Sequence, residues 1–371
     1  MRFVTSPYLP LLLLALILSG ISISFIYSKV TRISLSHGLI EERLSYARQF
    51  LDAHVHTDGS VIYDYDTTTR KESAETGTPV LVRDVGVVFS EMMLASSSTI
   101  KAQEDVTLPY VTYFFTTPHA DKPTGMLAIA YIGFAVLGLH DPMWTQAHSG
   151  ELQTLLHEIL GRQNKTGVFV ESATNTNISG YYTGESLLAL SYALQSSSDS
   201  ERSQIKDAIM RTYMAIDGGV IDYSTTRSLY MWLNRATALN AASESFSSTE
   251  KALMMDVVKM IQGEVMAQVL PLSPQKNTCI WGEGLAQYLL IDEASNQSPE
   301  LMSQLEDIVR NNLSLQNIPG NSKTPSIDDG GFRPQKGATT ARIDYEQHCI
   351  GMLTGYEALL ASGMLGTLPK P

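Results

Sequence analysis

Glu185 and Glu283 are the residues best placed for acid–base chemistry. Each follows glycine and aromatic residues and opens an apolar run, in Gly-Tyr-Tyr-Thr-Gly-Glu ending at 185 and in Trp-Gly-Glu-Gly starting at 281. Two carboxyl groups flanking one bond are what glycoside hydrolysis requires. The ordinary explanation is helix-dipole complementation, since an acidic group in a first turn is stabilising. Asp58, Asp64, Asp328, Asp329 and Asp344 are alternative partners, although Asp328-Asp329-Gly330-Gly331 also reads as a turn. Arg342-Ile343-Asp344-Tyr345-Glu346-Gln347-His348 adds a second candidate cluster. There His348 is an acid or base, Asp344 a further carboxylate, and Tyr345 or Tyr63 assists.

A binding surface surrounds these groups in the sequence. Tyr63, Tyr65, Tyr181, Tyr182, Trp281, Phe332 and Tyr345 offer rings for stacking on sugars, and Arg83, Asp84 and Arg342 offer partners for hydroxyls. Arg83–Asp84 and Arg342–Asp344 also have a purely structural explanation, as ion pairs that close a ring. Cys279 and Cys349 each stand beside the opening of an apolar helix. Three readings stay open for them: one disulfide, favoured outside the cytoplasm; a zinc site of Cys279, His348 and Cys349 with an open fourth position; or two buried free thiols. No cofactor is expected, with zinc as the minority alternative.

The elements that position these residues are helical. Six segments are apolar or small nearly all round: Val80–Ala95, Gly125–Leu139, Gly184–Leu194, Ser228–Asn240, Trp281–Ile291 and Ile343–Leu360. Such helices are buried on every side. Between them lie amphipathic segments, Leu39–His54, Gly150–Arg162, Glu201–Ala215, Thr249–Val269 and Glu300–Leu313, with Gln103–Phe115 as a weaker sixth. The buried segments begin roughly 40 to 65 residues apart, a supersecondary-repeat period. Inner and outer helices alternating six times predict an all-α, two-layer (α/α)6 toroid. The loops entering the inner helices would gather at one end and form a cleft there.

The segments Tyr-Tyr-Thr-Gly-Glu-Ser-Leu-Leu-Ala-Leu, Gly-Ser-Val-Ile-Tyr-Asp-Tyr, Val-Arg-Asp-Val-Gly and Arg-Ile-Asp-Tyr-Glu-Gln-His resemble the six-hairpin (α/α)6 class. That class contains glycoside hydrolases, polysaccharide lyases and uronyl C5-epimerases. The resemblance spans most of residues 38 to 361 and implies architecture rather than one reaction. The cysteine–histidine arrangement is similar to the zinc toroids of lanthionine cyclases, but with Cys and His in the opposite order.

Composition sets the boundaries. The chain has 371 residues, of which 44% are hydrophobic and 17% charged, enough for a large core. Its net charge of -12 and lack of a basic stripe argue against nucleic-acid binding. There is no Walker loop, dinucleotide fingerprint or Gly-x-Ser-x-Gly elbow. Tyr8 to Tyr27 carries no charge, and as a helix of about 30 Å it matches a hydrocarbon core. Residues 1–29 are therefore read as a single-pass inner-membrane anchor, or an uncleaved signal, and residues 30–371 as one toroid in a bacterial periplasm. The expected function is a membrane-anchored glycoside hydrolase acting on an envelope or exported polysaccharide, beside envelope polysaccharide-synthesis proteins. A lyase or epimerase using His348, Tyr345 and Arg342 is the first alternative. A non-catalytic glycan-binding or assembly scaffold is the second.

Overall fold

The computed structural model describes residues 33–57, 59–66, 69, 71–72, 85–87, 89–91, 93–94, 114, 122–221, 227–269, 275–291, 298–318, 327 and 329–362. The expected anchor, with Arg83, Asp84, Asp58 and Asp328, lies outside the described residues. Among the described residues no helix is long and apolar enough to cross a membrane. The chain divides into two units, Met1–Ser36 and His37–Pro371, and the second carries every element with defined bounds.

Eleven helices and three short strands have defined bounds among the described residues. They are α1 (His37–Ala53), β1 (Asp64–Asp66), β2 (Lys71–Glu72), α2 (Thr124–His140), α3 (Pro142–Ala147), α4 (Ser149–Gly161), α5 (Gly180–Ser196), α6 (Asp199–Asp217), α7 (Arg227–Ala242), α8 (Ser248–Val269), α9 (Cys279–Ile291), α10 (Pro299–Leu313), β3 (Thr340–Arg342) and α11 (Ile343–Ala361). Residues 85–87, 89–91 and 93–94 are also helical. Local chemistry sets several starts. Ser179 caps α5 by accepting from the Tyr181 N–H, and Asp141 caps α3 ahead of Pro142. Ser198 and Glu201 form a capping box on α6.

Packing sorts the helices into two layers. α2, α5, α7, α9 and α11 follow one another as an inner series, each packed on the next. α4, α6, α8 and α10 back onto α2, α5, α7 and α9 respectively, while α1 backs onto α11. The inner helices are buried nearly all round: α5 hides Thr183, Gly184, Glu185, Leu187, Leu188, Ala189, Leu190 and more. The outer helices bury one stripe, as α10 does with Met302, Leu305, Ile308, Val309, Asn312 and Leu313. Each large apolar side chain in that stripe contributes about 1.5–3 kcal/mol by leaving water.

Two contacts bring the first hairpin to the last. β1 pairs antiparallel with β3, Tyr65 opposite Ala341, and the Ile343 N–H donates to the Tyr63 carbonyl. Gly86 lies so close to Gln347 of α11 that a Cβ there would collide with it. The ring therefore closes between the helical residues 85–87 and α11, as an (α/α)6 toroid requires. The loops entering the inner helices knit into a rim. The Thr124 N–H donates to the Glu171 carbonyl, the Phe169 N–H to Thr183 Oγ1, and the Asn277 N–H to the Pro334 carbonyl.

Cys279 and Cys349 form a disulfide between the first turn of α9 and the second turn of α11, with Cα atoms 4.7 Å apart. Both sulfurs are thus consumed, which corrects the zinc alternative of Cys279, His348 and Cys349 and removes the free-thiol one. The bridge closes a loop of 70 residues. Constraint of the unfolded chain by such a loop stabilises by about 4 kcal/mol. The Cys279→Ser/Cys349→Ser variant is therefore expected to lose about that much unfolding free energy in urea titrations, and wild type unfolded under reducing conditions should match it.

Candidate functional site

The α5 cap moves Glu185 deeper than its sequence context implies. Because α5 begins at Gly180, Glu185 is in the second turn, and no acidic residue occupies the first. Glu283 likewise lies in the second turn of α9, which begins at Cys279. The dipole explanation weakens for both, since that effect fades beyond the first turn.

Both helices pack on α7. Gly184 abuts Trp232, so the turn of α5 that carries Glu185 rests on that part of α7. One turn further along α7, Arg235 reaches Glu283: Nε and Nη2 both donate to Oε1, at 3.0 and 2.8 Å. Glu283 Oε2 takes a third contact, with His348 Nδ1 of α11 at 3.0 Å. Both oxygens of Glu283 are engaged and its side chain is 2% exposed, whereas His348 is 23% exposed. Gly351, nearly one turn beyond His348, makes this possible: a Cβ there would collide with Glu283 Oε1. The Arg235 guanidinium also lies 5.6 Å from the Phe89 ring centre, and Phe89 packs against Trp232.

Glu185 is held differently. It is 4% exposed, and its Oε2 has no hydrogen-bond partner among the described residues. Burial without an offsetting charge pushes its carboxyl up to about 8, so it keeps its proton at neutral pH. Tyr182, half-buried, stands within electrostatic reach of Glu171 and Glu185. Burial first, then those two acidic groups, raises its phenol. Tyr181 is 48% exposed at the start of the same helix.

The remaining candidates separate clearly. Arg342 and Asp344 pair with each other, Nε to Oδ1 at 3.0 Å and Nη2 to Oδ2. The Arg342 guanidinium lies over the rings of Tyr345 and Tyr63, at 4.9 and 5.4 Å. That cluster sits where β1 meets β3, so ring closure accounts for it. Trp281 is partly exposed in the first turn of α9 and tilts against Tyr230. Phe332 corrects a sequence expectation. It is 0% exposed in the core, and its N–H donates to Glu346 Oε2, so it cannot stack on a sugar. Tyr65 is buried edge-on against His54, and Tyr63 is buried beneath Arg342. Neither presents an open platform.

Sequence reasoning does not single out Arg235, Gly351 or Glu346. A signal for Arg235 exists: it is the one charged residue within the apolar run Ser228–Asn240. A charge there must be paired or face a lumen. Glu346 is fully buried, and burial raises its carboxyl well above the usual range against the opposing Phe332 hydrogen bond.

No family profile matches this chain, and no curated protein does either. Solved structures do. An unsaturated glucuronyl hydrolase specific for heparin shares 12% identity at a TM-score of 0.59, over 88% of this chain and 99% of that one. The GH76A α-1,6-mannanase of a Salegentibacter species, as an inactive variant bound to α-1,6-mannotriose, gives 10% identity and a TM-score of 0.61, over 87% and 100%. A Listeria innocua protein gives 11% and 0.63, over 86% and 98%. Likeness at these identities shows the fold: this chain is a six-hairpin (α/α)6 toroid.

Two outcomes test the geometry. Gly351→Ala forces Glu283 to move and should cost about 1–3 kcal/mol in thermal or urea unfolding. Glu185 makes stability depend on pH. Its carboxyl holds a proton in the folded chain up to about 8, but in the unfolded chain only to the usual carboxylate range. Its contribution is therefore complete below that range and is lost as pH rises towards 8. Unfolding free energies between pH 5 and 8 should fall less in Glu185→Gln than in wild type. The residual slope would combine Glu91 and Glu346, which burial shifts in the same direction, with His54, which burial lowers to about 4 and which opposes them below the usual imidazole range.

Proposed function

We propose that this chain is a glycoside hydrolase acting on an envelope or exported polysaccharide, with Glu185 as its general acid. The observation that carries this reading is the Glu185 carboxyl. It is buried and holds its proton up to about 8, and the turn of α5 that carries it packs on α7 one turn before Arg235. A glycosidic oxygen leaves as an alcohol only if an acid protonates it, and an acid that keeps its proton near pH 7 suits that step. Tyr181, Tyr182 and Trp281, exposed or half-exposed at the openings of α5 and α9, supply ring faces for the sugar. The glucuronyl hydrolase and the mannanase, which act on carbohydrate with the same fold, support the substrate class.

Delivery to the outside of the cytoplasm belongs to the same proposal. The uncharged run from Tyr8 to Tyr27 would anchor the protein in the inner membrane, with residues 30–371 in the periplasm beside polysaccharide-synthesis proteins. The Cys279–Cys349 disulfide supports that placement, because such bridges persist in oxidising compartments. No cofactor is required, since a carboxyl and an imidazole supply the proton transfers.

A second reading has one observation in its favour. Tyr345 and His348 lie three residues apart on α11, with Arg342 over the Tyr345 ring. That grouping suits proton abstraction beside a uronate carboxylate, in a lyase or epimerase. A panel of neutral and uronate polysaccharides decides among these. New reducing ends without unsaturated products are expected, and Glu185→Gln should lower kcat about 10²–10⁴-fold. Unsaturated uronate absorbance would establish the lyase instead. Binding without turnover across the panel would leave a glycan-binding scaffold.

A further inference from the structure

Both oxygens of Glu283 are already engaged within the protein. Oε1 accepts two N–H bonds from Arg235, and Oε2 meets His348 Nδ1. A nucleophilic carboxylate, as retaining glycosidases use, needs a lone pair facing the anomeric carbon. Here three of about four acceptor positions are used by a guanidinium and an imidazole, and the side chain is only 2% exposed, which makes Glu283 a poor nucleophile.

The same contacts define what His348 can do. A carboxylate only accepts hydrogen bonds, so the proton on the side facing Glu283 must reside on Nδ1. That leaves the Nε2 lone pair on the far edge of the ring. Nε2 has no hydrogen-bond partner among the described residues, and the side chain is 23% exposed. A buried carboxylate that fixes the tautomer of a partly exposed imidazole is the arrangement that makes histidine an effective base. Arg235 completes it by fixing the carboxylate, and Gly351 by leaving room for it.

We propose that His348 Nε2 is the general base of this site, that Glu283 and Arg235 are positioning residues acting through it, and that hydrolysis inverts the anomeric configuration. This rests on the hydrolase reading with Glu185 as acid. A water oxygen attacks the anomeric carbon and forms the new C–O bond while its proton passes to His348 Nε2. The bond to the leaving oxygen breaks, and that oxygen takes the Glu185 proton. The site is left with His348 protonated on both nitrogens and Glu185 ionised. Loss of one proton to solvent and gain of another restores both. No covalent sugar–enzyme intermediate forms.

Two experiments on the full-length chain in detergent test this. In the first, protein labelled with ¹⁵N-histidine is studied by long-range ¹H–¹⁵N NMR, with His348→Gln assigning the signal. Wild type should show His348 as the single tautomer carrying its proton on Nδ1. Glu283→Gln should shift it towards the Nε2-protonated form. The variant Arg235→Gln/Glu283→Gln keeps the buried charge balanced and should do the same if the single variant unfolds. A wild-type proton on Nε2, or a tautomer unchanged in a folded Glu283 variant, overturns the positioning claim. In the second, hydrolysis of the best substrate in the panel is followed by ¹H NMR of the first-formed anomers. Inversion is expected, with His348→Gln and Glu283→Gln lowering kcat at least 100-fold at similar KM. Retention overturns the proposal even if the tautomer holds. A pinned tautomer without turnover on any polysaccharide overturns hydrolysis while upholding the positioning of His348.

Discussion

The ion pair between Arg235 and Glu283 is the contact on which the interior of the ring depends. Two charges have been taken almost wholly out of water, where each alone would cost several kcal/mol. They are tolerable because Arg235 places two donors on one oxygen and His348 takes the other. This network ties three consecutive inner helices, α7, α9 and α11, at one level. The disulfide ties α9 to α11 again, four residues before Glu283 and one after His348. Gly351 lets α11 come close enough for the contact, and Gly284 does the same where α9 meets Tyr230 of α7. Loss of either charged partner would strand the other, at a typical cost of 3–5 kcal/mol.

The architecture is legible in the sequence because burial on all sides and burial on one side leave different patterns. Gly125–Leu139 and Glu300–Leu313 look different as strings for the same reason that α2 and α10 occupy different layers. Element starts are less legible. Gly180 to Thr183 reads as a loop because Tyr-Tyr-Thr has weak helix propensity, yet the Ser179 cap begins α5 there and puts Glu185 a turn deeper. Arg342 and Asp344 point to ring closure, and closure is seen in the pairing of β1 with β3.

Side-chain roles are the least legible. Phe332 and Tyr65 sit in glycine- and aspartate-rich loops, and loop context alone cannot distinguish a ring that stacks on ligand from one that folds inward. Glu283 stands out in the sequence, but its two occupied oxygens come from Arg235 and His348, 48 and 65 residues away. No local pattern encodes that contact. The cysteines are similar: 70 residues apart, they could be neighbours only if the helices they open stand side by side.

Three deeply buried acidic residues, Glu91, Glu185 and Glu346, are held at raised pKa by burial, and their surroundings differ in what they explain. Glu91 lies 3.7 Å from the Arg48 guanidinium, across the contact with α1. Glu346 accepts the Phe332 N–H and so pins the rim loop to α11. Each has a structural role visible in its contacts. For Glu185 the described contacts show no such role: its Oε2, like both oxygens of Glu91 and Oε1 of Glu346, meets no hydrogen-bond donor among the described residues. A buried carboxyl without a partner destabilises a fold, and glutamine or leucine of similar size would pack there at lower cost. Costly groups of this kind concentrate where chemistry needs them. The same inner series of helices also carries His348, whose imidazole meets a buried carboxylate that Arg235 holds in turn.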